Sequence, residues 1–474
     1  MNVSKINKIA VISLFLFAVI TIIRLYHHMP WFDEAHSWVI SEQLNFLEML
    51  KYIPQEGHFP IWNILLFPIA KLHLYPVSMQ LLNWIFCFLA LAILWVKAPF
   101  NNFTKICITF SFPFLGYYSV VARCYSIGIL LIFLIASLYK KQLEHPLIYC
   151  GLIFLCANTS LMALIPATAF GIIFIFKFIK CKNFSKEYYI SLLIGLITVL
   201  VILLQISNVN INGGYLKPKT LSLFSHIFVR NSIINIFLAV ILSIPVIKYL
   251  VKDKYSLFFI SFCSFVVLFL MYKIYVLNFW HTFFVFIYLI VAFWISDIDN
   301  KYFKWKFLAI SSLTLISIIY IFYTPDTISF NIVYNSKSRQ LKSFIESDVN
   351  LKNSTIYHNN GEMFEILPYS YKNSYKIKNY CDISKKSDYK LYENLKGICS
   401  VNPIEYAMKH QEVFKQINEK EKSPLYFLVP AKTYLNTNKA LILANGYFLY
   451  FRKYKCYEYF CFWDMNVGHT EVKW

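Results

Sequence analysis

The sequence predicts a polytopic α-helical membrane protein, with about eleven crossings in residues 1–323 and a small α/β domain in residues 324–474. Three observations carry that reading. Hydrophobic residues make up 58% of the chain and charged residues 15%, against roughly 25% charged in a soluble globular domain. Apolar runs of about 20 residues recur through the first two thirds, the length at which a helix crosses a bilayer with its backbone satisfied internally. A barrel would alternate in short segments instead. Beyond residue 323 the long apolar runs stop and charged residues become frequent. The formal net charge of +20 is read as Lys and Arg crowding one side of the membrane. No nucleic-acid-binding motif accompanies it, so no nucleic-acid partner is expected.

Residues 8–26 form the first expected crossing. They are not read as a cleaved leader, because no small-residue cleavage site follows and Arg24, Tyr26, His27 and His28 come next. Residues 27–60 read as a polar loop. Residues 59–73 are apolar but short and broken by Pro68. They are expected to lie flat in the interface, with Trp62, Lys71 and His73 at headgroup level. Further crossings are expected at about 77–97, 103–119, 121–139, 146–160, 162–180, 188–206, 232–251, 256–277, 280–297 and 306–323. A tight turn near Tyr117 to Arg123 joins the third crossing to the fourth, and a polar stretch from Ser207 to Arg230 follows the seventh.

The positive-inside rule orients this arrangement. With the N-terminus in the cytoplasm, the inner segments hold Lys5, Lys8, Lys97, Lys105, Lys140, Lys141, Lys177, Lys180, Lys182, Lys186, Lys248, Lys252, Lys254, Lys301, Lys304 and Lys306. The outer side keeps only Arg24, Lys51, Lys71, Arg123, Lys217, Lys219, Arg230 and Lys273. Counting 59–73 as a crossing would reverse the bias. The stretch 27–60 and the C-terminal domain are therefore expected outside.

In residues 324–474, Ser336 to Glu346 and Pro403 to Lys420 read as helices. Thr355 to His358, Leu425 to Val429 and Tyr447 to Tyr454 read as strands rich in aromatic and aliphatic residues. Cys87, Cys107, Cys124, Cys150, Cys156, Cys181 and Cys263 lie in or beside apolar helices, where Cys packs as a small hydrophobe. Outside the cell disulfides persist, so Cys381–Cys399 and Cys456–Cys461 are candidate pairs whose connectivity stays open.

Chemistry concentrates in residues 27–60. They hold Asp33, Glu34, Glu42, Glu48 and Glu56, and residues 1–323 contain only Glu144, Glu187, Asp253, Asp297 and Asp299 besides. The orientation puts those others on the opposite side. Carboxylates beside a bilayer are costly unless they are solvated, paired or used. Asp33 and Glu34 sit among Trp31, Phe32, His36 and Trp38, an apolar, aromatic setting that suits a general base. His27, His28, His36 and His58 with the two carboxylates would permit a divalent metal, but no cofactor is assigned.

Trp31-Phe32-Asp33-Glu34-Ala35, followed by Glu56-Gly57-His58-Phe59-Pro60-Ile61-Trp62, resembles the first outer loop of GT-C glycosyltransferases, in particular the protein O-mannosyltransferase and aminoarabinose-transferase group. That group carries an acidic pair after its first helix, then a His-Pro-Pro-like element opening an interfacial helix. Here one Pro of that element is replaced. Arg123-Cys124-Tyr125 resembles the group's Arg-x-Tyr, and Trp280-His281 resembles an outer-face Arg/His position. The resemblance spans roughly residues 8–320.

It implies a GT-C-like fold in the bacterial cytoplasmic membrane and transfer of a sugar from a polyprenyl-phosphate donor to a glycan, lipid or protein acceptor. Asp33 is the implied base, and Glu34 binds the acceptor or holds Asp33. Arg123 meets the leaving phosphate with its planar fork, and His281 donates a hydrogen bond. Tyr125 lies near the sugar, His58 orients Asp33 or the acceptor, and Lys217 and Lys219 contact phosphate or lipid headgroups. Two other readings compete. An O-antigen-type polymerase or ligase would carry its catalytic loop late in the chain. A lipid-linked-glycan transporter would show mid-membrane ionisable residues and internal repeats.

Overall fold

A computed structural model describes residues 8–56, 58–72, 74, 76–181, 185–207, 232–273, 279–296, 303–322, 335–358, 366, 376–379, 425–430, 439–444, 447–457 and 460–469. The helices are α1 (Lys8–His27), α2 (Phe32–Gln43), α3 (Phe46–Tyr52), α4 (Ile61–Lys71), α5 (Val77–Lys97), α6 (Asn102–Thr109), α7 (Tyr125–Leu138), α8 (Pro146–Ala157), α9 (Leu161–Cys181), α10 (Lys186–Ser207), α11 (Ser232–Leu250), α12 (Lys254–Lys273), α13 (Phe279–Ile295) and α14 (Phe303–Phe322), then α15 (Asn335–Ser347) and α16 (Val349–Lys352). Strands β1 (Thr355–His358), β2 (Lys376–Asn379), β3 (Leu425–Pro430), β4 (Lys439–Ala444), β5 (Tyr447–Tyr457) and β6 (Phe460–His469) follow. The expected helix at Pro403 to Lys420 and the pair Cys381–Cys399 lie outside the described residues.

Among the described residues, α1, α5, α9 and α10 are long and apolar enough to cross a membrane, and shorter apolar helices such as α4 and α8 accompany them. Only 11% of the α10 span and 22% of the α1 span are buried within the protein. Side chains such as Phe15, Ile23, Leu196 and Leu204 are exposed. Apolar surface on that scale requires an apolar solvent around it, and the chain is a helical membrane protein.

The chain divides into two compact units. One comprises Met1–Tyr26, Phe46–Leu65 and Met79–Thr327, and the other His27–Asn45, Leu66–Ser78 and Ile328–Trp474. In the first unit α8 packs against α7, α9 and α10, while α9 and α13 both contact α12. Several polar groups in this apolar interior are tied to one another. Trp84 Nε1 on α5 donates to Thr21 Oγ1 on α1 at 2.8 Å, and Trp95 Nε1 donates to Thr109 Oγ1 at 3.0 Å. Pro166 inside α9 has no N–H for the carbonyl four residues back. That carbonyl, of Met162, instead accepts the Tyr288 hydroxyl from α13. Gly128 lets α7 approach the α8–α9 turn, since a Cβ there would lie 3.1 Å from both Ala163 Cβ and Thr159 Oγ1.

Two expectations are corrected. The polar stretch 27–60 is not an open loop: it folds as α2, α3 and a 3-10 turn over Ile53–Glu56. The expected crossing at 103–119 is broken. Pro113 cannot donate to the Thr109 carbonyl, so α6 stops at Thr109. Residues Pro113–Tyr118 then form a π turn, with Ser119 N–H donating to the Phe114 carbonyl at 3.3 Å. Gly116 permits it: a Cβ there would come within 2.4 Å of the Phe112 ring.

In the second unit, among the described residues, six strands form one mixed sheet in the order β2-β1-β3-β6-β5-β4. β1 runs parallel to β2 and β3, and the remaining pairs are antiparallel. β5 and β6 pair with a register shift between Lys453 and Lys455. Cys456 and Cys461 are direct partners in that ladder. Asp348 caps α16 by accepting from the N–H groups of Asn350 at 3.0 Å and Leu351 at 3.1 Å. On α15, Leu341 and Ile345 are buried four residues apart, while Lys342 and Glu346 pair on its surface.

Candidate active site

The acidic pair lies in the first turn of α2, in the second unit. Trp31 precedes the helix in extended backbone conformation. A Trp side chain has no oxygen with which to cap, so the turn is closed from the other side. Glu34 reaches back and its Oε2 accepts the Trp31 N–H at 2.8 Å, half of a capping box. The same oxygen lies 2.8 Å from His28 Nε2. Glu34 is 0% exposed and His28 5%, so this is a buried pair whose polar atoms satisfy one another. Ala35 N–H donates to the Trp31 carbonyl at 2.9 Å, and the Ser37 hydroxyl donates to the Asp33 carbonyl at 3.0 Å. Asp33 itself is half-buried, unlike its neighbour. Both carboxylates occupy the positive end of the helix dipole, where negative charge is favoured. The C-terminal end of α2 is held too: Lys71 Nζ donates to the Glu42 carbonyl at 2.6 Å.

A second group of candidate side chains is assembled in the first unit around the π turn. Ending the turn leaves the Tyr118 carbonyl without a helical partner. Asn83 Nδ2 donates to it at 2.8 Å and Ser126 Oγ at 2.6 Å. The Tyr118 hydroxyl donates to the Trp280 carbonyl at 2.8 Å, which ties the turn to the start of α13. Tyr117 lies parallel to Trp280, with ring centroids 5.9 Å apart and planes within 1°. Tyr125, at the start of α7, places its hydroxyl 3.0 Å from His281 Nε2. Arg123, between the π turn and α7 in sequence, lies in a tight turn, its backbone N–H donating to the Val121 carbonyl at 3.0 Å, and the residue is only 6% exposed. The turn thus buries an arginine, whose planar fork suits an anion, and the same unit holds the stacked Tyr117 and Trp280 rings.

Of the residues singled out from sequence, Asp33 and Glu34 share the α2 turn, while Tyr125 and His281 meet directly across 156 residues of chain. His58 belongs to the first unit, is exposed, and donates its backbone N–H to the Ile53 carbonyl at 3.4 Å. Lys217 and Lys219 lie outside the described residues. Among the described residues, no three His, Cys, Asp or Glu side chains gather closely enough to hold a metal ion. In the sequence His28 stands out only as a candidate metal ligand, and Asn83 and Ser126 do not stand out. His28 precedes α2 by several residues, so no helical spacing links it to Glu34. Asn83 and Ser126 act on a backbone carbonyl, for which side-chain pattern carries no signal. Compared with known proteins, the chain matches no family model and no curated protein.

Proposed function

We propose that the protein is a membrane glycosyltransferase that moves a sugar from a polyprenyl-phosphate carrier to an acceptor hydroxyl on the outer face of the cytoplasmic membrane. The observation that carries this reading is the first turn of α2. It sets two adjacent carboxylates at a helix N-terminus directly after a helix of membrane-crossing length, with Glu34 consumed by His28 and the cap and Asp33 half-buried beside it. In this reading the Asp33 carboxylate takes the proton of the acceptor hydroxyl as that oxygen bonds to the anomeric carbon. The bond from the anomeric carbon to the phosphate oxygen breaks, and the polyprenyl phosphate leaves as an anion. On the resemblance of Arg123-Cys124-Tyr125 to the group's Arg-x-Tyr, that negative charge is assigned to Arg123, and Tyr125 and His281, which meet at 3.0 Å, are assigned to the donor. His58, Lys217 and Lys219 are assigned to acceptor and headgroup contacts. The topology belongs to the same proposal: eleven crossings, the N-terminus inside, and the C-terminal sheet as an outer α/β domain.

The test has two parts. Purified protein in lipid nanodiscs is given polyprenyl-phosphate sugars, and envelope glycans and lipids are compared by mass spectrometry with and without the gene. Transfer that is lost in Asp33→Asn supports the reading. An unchanged glycan and lipid profile, with no turnover of any such donor, would overturn it. A reporter active only outside the cytoplasm, fused after Trp474, is expected to be active; activity of a cytoplasmic reporter there would sink the topology.

A further inference from the structure

We propose that His28 is the positioning residue of this site: its Nε2–H, donated to Glu34, holds the first turn of α2 so that Asp33 presents its carboxylate to the acceptor. The proposal rests on the reading of Asp33 as the base. Of the two roles open to Glu34, binding the acceptor or holding Asp33, it selects the second.

The geometry leaves Glu34 little capacity for a substrate. Its Oε2 already receives two donors at 2.8 Å each, one from the imidazole and one from the Trp31 backbone, and its side chain is 0% exposed. A carboxylate placed in such a site is held by charge-assisted hydrogen bonds, and removing one donor leaves the buried anion undersatisfied. The two donors also act on different parts of the chain. Trp31 N–H closes the helix cap, while His28 reaches across from the segment before it. Together they pin residues 28, 31 and 34 to one oxygen atom. Asp33 is covalently next to Glu34 and has its own carbonyl engaged by Ser37, so its backbone cannot rotate independently. A displacement of about 1 Å at a reacting group costs on the order of 10²-fold in rate, which is the scale on which loss of this tether acts.

Two variants one methylene apart separate positioning from general disruption. The amide nitrogen of His28→Gln can occupy the place of Nε2 and restore the donor. That of His28→Asn is too short to reach Glu34, while keeping the site polar. With a polyprenyl-phosphate sugar as donor, His28→Asn is expected to lower kcat by about 10²-fold with the donor KM unchanged, and His28→Gln to stay close to wild type. Equal kcat in the two variants, or a change confined to KM, overturns the positioning role. A second readout needs no turnover: labelling by a hydrophobic carbodiimide, read by mass spectrometry. Glu34 is expected to be protected in the wild type and in His28→Gln and modified in His28→Asn. Modification of Glu34 in the wild type overturns the tether itself. Absence of any transfer by the wild type overturns the reaction and the role together, with the labelling pattern intact.

Discussion

The α2 turn and the π turn are two polar sites built in opposite ways. The α2 turn is local: its tethers join residues six, three and four positions apart, His28 to Glu34, Trp31 to Glu34 and Ser37 to Asp33. The π turn is assembled from afar: Asn83 to Tyr118 spans 35 residues, Tyr125 to His281 spans 156 and Tyr118 to Trp280 spans 162. A local site depends on the conformation of one stretch of chain, and a distant mutation has little purchase on it. A long-range site depends on how α5, α7 and α13 pack, so any change in that packing reaches it. In an apolar interior these ties also spare buried polar groups the cost of having no partner.

On the proposed function, Asp33→Asn lowers turnover about 10²- to 10⁴-fold, roughly 3–5.5 kcal/mol of barrier, measured as kcat/KM in purified, folded protein. Retained turnover in Asp33→Asn with loss in Glu34→Gln would reverse the roles of the two carboxylates. If both stay active, the α2 turn is not the catalytic centre. Arg123→Lys keeps the charge and loses the planar fork; the expected fall in donor use is about 10- to 150-fold, the worth of a charged hydrogen bond. Unchanged donor kinetics would remove Arg123 from the phosphate contact.

The next two changes strike the long-range site through its scaffold. Gly128→Leu overfills the contact of α7 with the α8–α9 turn and is expected to cost about 1–3 kcal/mol in thermal unfolding. Because α7 carries Tyr125, it should also weaken donor binding while leaving carbodiimide protection of Glu34 in place. Loss of that protection would show that the α2 turn is not the local unit described above. Tyr288→Phe, on the helix that carries His281, strands the Met162 carbonyl freed by Pro166. The expected loss is about 1 kcal/mol, read by the same unfolding measurement. No change in stability would mean that the carbonyl finds another donor.

Much of the fold was legible in the sequence because bilayer-crossing helices are written locally, as uninterrupted apolar runs. The expected segments at 8–26, 77–97, 162–180 and 188–206 differ from α1, α5, α9 and α10 by only a residue or two at each end. The short apolar helix at Ile61–Lys71 with Pro68 inside was legible from its apolar content, while α15 and strands β1, β3 and β5 were legible from local periodicity and aromatic and aliphatic content. Residues 27–60 look like loop in sequence because their helices are held by contacts that hydropathy does not register: a carboxylate closing the N-terminus of α2 and a lysine closing its end. The break at Pro113 was readable in principle, since a proline inside an apolar run removes a donor at a known position.

For this chain, sequence alone determined a helical membrane protein with an acidic pair after its first helix. Apolar length and the clustering of carboxylates are properties of a linear string. Only the tertiary structure decided that the two adjacent carboxylates differ, Glu34 locked in a buried pair with His28 and Asp33 half-buried beside it. It also decided that Tyr125 meets His281 and that Arg123 is buried. The Tyr125–His281 pair depends on how helices pack, and the Glu34–His28 pair on how residues 28–34 fold around the start of α2. Neighbours along a helix point about 100° apart, so adjacent residues of the same type can face quite different surroundings.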